Sequence, residues 1–309
     1  MRVASLLPSA TELLFAVGAG HEVVGVTHEC DFPEAAQHLP KLTSDIVVRP
    51  GMSPGDIDRH IRHALHEGSS IYALDEHLLG ELKPDLIVTQ ELCEVCAVGY
   101  KEVDRAARRL PGDVPVLSLE PEGLDDILDT ALSVGAATHH DDEARRLVDT
   151  LAERMTRVRD EHHPATPPRV ACIEWTDPVM GGGHWVPEMV RIAGGVDVLG
   201  DEGERSKEVA WERVLEAQPD VIVLMPCGYG LARTLQLAHE ITTRRGFADL
   251  PAARNHRIAA VDGSSYFNRP GPRIVDGLEI LAAILRAKPE DPLPNGAAWV
   301  GQHTPAAHP

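Results

Sequence analysis

Cys93-x-x-Cys96 is the tightest pair of soft donors in this 309-residue chain. Two thiolates at that spacing supply half of a tetrahedral zinc site, which His28, Cys30 or Cys227 would complete. The same pair could form a redox dithiol, although Glu94 and Val95 stand where thioredoxin-like motifs keep small residues. It could also pack as inert thiols at a strand–helix junction. His28-Glu29-Cys30 offers nitrogen, oxygen and sulfur donors on one turn, a combination suited to a transition metal such as zinc or iron. The plainer reading is a loop histidine capping backbone groups. Beside such a metal, Glu91 or Glu174 would be the general base. Cys172 lies within an apolar run and reads as core.

Aromatic residues make up only 4% of the chain, yet Trp175, Trp185, Tyr229, Tyr266 and Phe267 all fall just past expected strands. So do Pro8, Glu29, Glu120, His184 and Arg269. Gly181-Gly182-Gly183-His184-Trp185 is not a phosphate loop, since it lacks the lysine and the hydroxyl residue that follow one. It reads as a bend that aims an aromatic ring at a ligand, or as one that buries a core tryptophan. Gly18-x-Gly20 follows a helix instead of a strand, so no dinucleotide fingerprint is present.

These residues need elements to hold them, and a repeated phrase indicates which. Leu82-Lys83-Pro84-Asp85-Leu86-Ile87-Val88 returns as Ala217-Gln218-Pro219-Asp220-Val221-Ile222-Val223. Each copy closes a helix, turns at Pro-Asp and enters a β-branched strand. Two copies half a chain apart predict two similar α/β lobes with mostly parallel sheets. Ligands of open α/β sheets sit beyond the carboxyl ends of the strands, where the candidates fall. Strands are expected at Val3–Leu7, Val23–Thr27, Leu86–Thr89, Val114–Leu119, Arg169–Ile173, Val221–Met225 and Arg257–Val261.

Between Asp141 and His163, apolar residues at Ala144, Leu147, Val148, Leu151, Met155 and Val158 keep helical spacing. That predicts a helix of about 30 Å, delivering the chain from one lobe to the next. The expected organisation is an N-terminal lobe over 1–138, a connecting helix over 139–166, a C-terminal lobe over 167–288 and a disordered Pro-rich tail over 289–309.

A formal charge of −19 argues against nucleic acid and anionic membranes, both of which need a basic surface. No apolar run approaches the ~20 residues of a membrane span, so no membrane insertion is expected. The start Met1-Arg2-Val3 enters a strand directly, without the pattern of a signal peptide. With five cysteines, an odd number, reduced thiols and a cytoplasmic location are the expectation.

On these residues the chain resembles the helical-backbone class of substrate-binding proteins serving ABC importers of vitamin B12, haem and ferric siderophores, and within it the cobalamin-binding branch. The carriers are Arg2 to Glu12 with Gly18-Ala19-Gly20 and Val24-Gly25-Val26, the two Pro-Asp phrases, Ala193-Gly194-Gly195, and Leu250-Pro251-Ala252 with Arg257 to Asp262. The resemblance implies two Rossmann-like lobes, one long connecting helix and a ligand held between the lobes. It implies docking to a permease through one surface glutamate per lobe. Glu212 fits in the second lobe, whereas in the first the matching position is His77, with Glu76 adjacent.

Two functions lead at this point, with a secreted transporter subunit as a third reading. One is a binding protein for a corrinoid or another metal chelate, contacted by Pro8, His28, Glu29, Glu91, Glu120, Glu174, Trp175, His184, Trp185, Tyr229, Tyr266, Phe267 and Arg269. The other is a cytoplasmic metal-dependent enzyme with its metal among His28, Cys30, Cys93, Cys96 and Cys227.

Overall fold

The computed structural model describes residues 1–48, 51–66, 71–90, 100–112, 114–161 and 165–301. They divide into two compact units. One comprises Met1–Pro121 with Asp125–Leu151, the other Glu122–Leu124 with the chain from Ala152 onward.

The first unit carries β1 (Val3–Ser5), α1 (Pro8–Ala16), β2 (Val23–Val26), α2 (Glu34–Gln37), β3 (Thr43–Asp45), α3 (Pro54–His66), β4 (Tyr72–Leu74), α4 (Glu76–Leu82), β5 (Leu86–Thr89), α5 (Tyr100–Ala107) and β6 (Val116–Ser118). It also takes α6 (Leu124–Thr138) from Asp125 onward, and α7 (Asp141–Asp160) as far as Leu151. Its sheet runs β2-β1-β5-β6 with every pairing parallel. Each of Leu86, Ile87, Val88 and Thr89 is buried, as expected of a strand covered on both faces. Leu86 and Val88 pack with Leu13, Leu14 and Val17 of α1 and with Ala144 of α7. Ile87 packs on the other side with Leu79 and Val103.

The second unit carries β7 (Arg169–Thr176), β8 (Val179–Gly181), α8 (Val186–Ile192), β9 (Val196–Asp197), α9 (Trp211–Ala217), β10 (Val221–Leu224), α10 (Leu231–Thr242), α11 (Pro251–Arg254), β11 (Ile258–Val261), α12 (Gly263–Tyr266), α13 (Ile274–Arg286) and β12 (Ala297–Trp299). Its sheet runs β12-β11-β10-β7-β8, with β9 pairing β7. The central β7, β10 and β11 are parallel, and β8 and β12 join as antiparallel edges.

The two Pro-Asp phrases fold the same way. The residue after the helix is left-handed in both, Lys83 at φ 46° and Gln218 at φ 45°, a conformation that ends a helix cleanly. Asp85 Oδ2 then accepts the backbone N–H of Arg2 at 2.8 Å, and Asp220 Oδ2 accepts that of Arg169 at 2.9 Å. The same arginines reach back with Nε to the last helical carbonyls, Leu82 O at 2.8 Å and Ala217 O at 2.9 Å. Helix end, turn and first strand are thereby tied together in each unit.

Two expectations are corrected. The stretch after Lys288 is not a disordered tail through its whole length. Ala297–Trp299 pairs with β11, Trp299 is 3% exposed, and its Nε1 donates to Asp291 O at 3.0 Å. Its prolines shape a loop, and a buried indole fixes the strand that follows. The helix α6 has no counterpart among the expected elements. It buries Leu124, Ile127, Leu128, Ala131 and Val134, and two buried threonines return their hydroxyls to helix carbonyls at 2.6 and 2.8 Å. An apolar side this broad, broken by threonines that satisfy themselves, leaves no narrow stripe to read.

Candidate functional site

In the first unit the strand ends hold their candidates apart. Pro8 is the buried first residue of α1. His28 is half-buried; its Nδ1 is 2.8 Å from the Thr43 hydroxyl and its ring packs 5.5 Å from that of Tyr72. Glu29 is exposed. Cys30 points the other way, into the core, 3% exposed, with Sγ 3.1 Å from Thr11 Oγ1 and 3.0 Å from Thr27 Oγ1. Burial pushes its thiol pKa up, so it favours the protonated form that does not bind metals. The expected His28-Glu29-Cys30 donor set is therefore not assembled, because successive residues leave the turn in different directions. Glu120 is exposed and accepts the Ser118 hydroxyl. Glu91, Cys93 and Cys96 lie outside the described residues. Among the described residues, the expected metal ligands form no group of three that could hold an ion.

The second unit brings more together. β7 ends at Glu174-Trp175-Thr176, and the neighbouring β10 leads to Cys227 and Tyr229. The Cys227 amide donates to Glu174 O at 3.0 Å, which holds the two strand ends side by side. The Trp175 and Tyr229 rings stack at 5.7 Å with only 16° between their planes. Trp175 is oriented by its Nε1, which donates to Asp177 O at 3.0 Å. The Arg233 guanidinium lies 5.8 Å over the Tyr229 ring, a cation–π arrangement that steadies both. Partial burial raises the Tyr229 pKa, so the phenol is neutral at physiological pH. Cys227 is an exposed, free thiol.

Behind this face stands the glycine-rich bend. Glu174 Oε1 accepts the Gly183 amide at 3.2 Å and Oε2 accepts the Ser206 hydroxyl. A side chain at Gly183 would meet the Ser206 backbone nitrogen at 2.2 Å, so only glycine lets the two segments approach. Glu174 is accordingly a brace for the bend. His184 follows in the left-handed region at φ 51°, an uncommon conformation for histidine. Its amide donates to Glu204 O at 2.6 Å, its ring stacks on Trp185 at 5.6 Å, and its Nδ1 is buried without a hydrogen bond. Burial first, and Arg205 second, push its pKa down, so the ring is neutral at pH 7.

Two expected contact residues prove to be core. Phe267 is 0% exposed and Trp185 6%, and the Trp185 indole donates to Phe267 O at 2.8 Å. The bend turns its tryptophan inward because that carbonyl gives the buried N–H a partner. Tyr266 and Arg269 stay half-buried, with the Arg273 guanidinium 5.8 Å over the Tyr266 ring. Arg233 and Arg273 were not among the expected site residues. A tyrosine followed four residues later by arginine at a helix start, as in Tyr229-x-x-x-Arg233, is the signal that would have found the first.

A family model described as a periplasmic binding protein matches residues 3–264. The chain belongs to the periplasmic binding protein family. Its relatives include the vitamin B12-binding protein of Vibrio cholerae serotype O1, 24% identical over 294 residues that cover 92% of this chain and 89% of that protein. The crystal structure of the periplasmic vitamin B12-binding protein of Vibrio cholerae aligns with TM-score 0.68 at 22% identity, covering 92% of this chain and 96% of that one. A periplasmic heme-binding protein from Roseiflexus sp. RS-1 aligns equally well, with TM-score 0.68 at 24% identity over 92% and 97% of the two chains. The alignments agree with the two α/β units and their mostly parallel sheets, and family membership makes this a binding protein.

Proposed function

We propose that this binding protein takes a corrinoid or a closely related flat metal chelate. The observation that carries the reading is the stacked Trp175–Tyr229 pair under Arg233, at the carboxyl ends of β7 and β10. It presents apolar ring faces beside a fixed cation, which suits a planar macrocycle with polar or anionic substituents. The names of the relatives, vitamin B12-binding and heme-binding, support the same ligand class.

The test is a titration of the purified chain with cyanocobalamin and, separately, with hemin, followed by absorption and by quenching of tryptophan fluorescence. Saturable binding of the corrinoid at one equivalent, weakened by Trp175→Ala, is the expected result. Preference for hemin would move the ligand within the class, and no binding of either would overturn the reading.

Delivery to an ABC permease belongs to the same proposal. Glu212 is exposed in the first turn of α9. His77 holds the matching place in α4, and the adjacent Glu76, which Arg109 pairs with at 2.8 Å, would stand in for it. The cytoplasmic location expected from the sequence is a separate proposal, and recovery of the protein with a periplasmic marker on fractionation would overturn it.

A further inference from the structure

The loop that leads into β12 ends in a tight turn, Pro294-Asn295-Gly296-Ala297, closed by the Ala297 amide on Pro294 O at 3.1 Å. Gly296 holds the third place at φ 89°, a left-handed conformation that suits glycine there. Packing requires glycine as well. A side chain at this position would meet Tyr266 Cε2 at 2.6 Å and Ile280 Cδ1 at 3.4 Å. The Gly296 carbonyl accepts the Asp262 amide at 2.8 Å, so the turn fastens the start of β12 to the end of β11.

Asn295 itself is exposed. Among the described residues, neither its carboxamide nor the Gly296 amide has a hydrogen-bond partner. An electrophilic carbon and a main-chain nitrogen one residue further on therefore stand side by side. Neither is committed elsewhere, and glycine offers no side chain to hinder their approach.

We propose that Asn295 is a self-modification site, which deamidates through a cyclic imide and loosens β12 as the chain ages. The Gly296 nitrogen gives up its proton and bonds to Cγ of Asn295. The Cγ–Nδ2 bond breaks, and ammonia leaves with that proton. Water then opens the imide. Cleavage between the Gly296 nitrogen and Cγ yields aspartate, and cleavage between that nitrogen and the main-chain carbonyl carbon yields isoaspartate. Water is the sole co-reactant, and nothing is oxidised or reduced. In isoaspartate the main chain runs through the side chain and is one methylene longer. The turn bond and the bond from Asp262 cannot both survive that insertion, because Gly296 is already pressed against Tyr266.

The other two asparagines of the chain, Asn255 and Asn268, set the contrast. Asn255 precedes His256, whose amide is tied to Ala253 O at 3.2 Å. Asn268 is half-buried, precedes Arg269, and donates from Nδ2 to Met225 O at 3.5 Å. Asp262-Gly263 could reach the same imide by losing water. Its carboxylate is held instead as the N-cap of α12, where Oδ1 accepts the Ser265 amide at 2.8 Å.

The experiment ages the purified full chain at mildly alkaline pH, where amide deprotonation is faster, beside a sample kept mildly acidic. Peptide mapping by mass spectrometry, with an isoaspartate-specific methyltransferase as probe of the linkage, reads the modification. Hydrogen exchange of β11 and β12 and the melting temperature read its effect. The mass gain of an amide becoming an acid is expected to accumulate at Asn295 ahead of Asn255 and Asn268. Faster exchange in both strands should accompany it. The melting temperature should fall by about 2–4 °C, as for one net hydrogen bond lost from a unit of this size. Asn295→Gln, at an exposed position without bonds to lose, is expected to abolish all three changes, because its longer side chain closes the ring far more slowly. No mass gain at Asn295, or none ahead of the other two asparagines, would overturn the site. So would a modified chain whose β12 exchanges as slowly as that of fresh protein. Ligand binding is not part of this readout, so this proposal and the corrinoid reading can fail separately.

Discussion

Asp85 and Arg2 are joined twice through the backbone: the Arg2 amide donates to Asp85 Oδ2 at 2.8 Å, and the Asp85 amide donates to Arg2 O at 2.7 Å. The pair lies eighty-three residues apart in sequence and fixes where β1 enters the sheet relative to the end of α4. Asp220 and Arg169 repeat it in the second unit. Asp85→Ala and Asp220→Ala are each expected to destabilise the protein by about 1 kcal/mol, the net worth of a side-chain hydrogen bond to an amide. Being in separate units, the two losses should add within a few tenths of a kcal/mol. Urea denaturation of the single and double variants checks both statements.

Arg233 is expected to matter for the ligand and little for the fold. It is exposed, and its ring contact is of the kind worth about 0.5–1 kcal/mol. Arg233→Ala should therefore leave the melting temperature within a few degrees of the parent while weakening cyanocobalamin binding. A melting temperature that collapses with the affinity would make Arg233 structural instead.

Phe267 should behave in the opposite way. It is fully buried, so Phe267→Ala is expected to cost about 3–5 kcal/mol through lost burial and a cavity. The fraction that remains folded should bind ligand with unchanged affinity. Comparing calorimetric stoichiometry with dissociation constant separates the two effects.

Asp197 is the group whose titration should show in stability. Burial raises its pKa to about 6, against backbone amides of Leu199 and Gly200 that each donate to Oδ1 at 2.8 Å. Its Oδ2 is buried without a hydrogen bond. In the unfolded chain its pKa is about 3.9, so between these values the folded state holds the proton and the unfolded state does not. Stability from this group is thus full below about pH 4 and falls as pH rises through about 6. The loss is on the order of 3 kcal/mol, and Asp197→Asn should flatten it. Denaturation midpoints across that window for both proteins provide the check.

The repeated Pro-Asp phrase was enough to find two α/β units, because it combines a helix stop, a turn and an apolar strand in consecutive residues. The strand Leu86–Thr89 was legible to the residue. Strand ends pointed to Trp175 and Tyr229 for the same reason. The direction a side chain takes at a bend was not legible. Trp185 and Cys30 turn inward for partners far along the chain, Phe267 O and the Thr11 hydroxyl, and local spacing carries no trace of those contacts. Arg233 escaped notice because a cation over a ring depends on helix phase relative to a neighbouring loop.

β12 gives the last residues of the second sheet a further role. It covers β11, whose Ile258, Ala259, Ala260 and Val261 are all buried. Without it, β11 would present an apolar row of unpaired amides and carbonyls, the template on which chains add to one another. A protein shortened to residue 288 should keep its central strands and yet self-associate through that bared edge, so the short terminal strand acts as a guard against polymerisation.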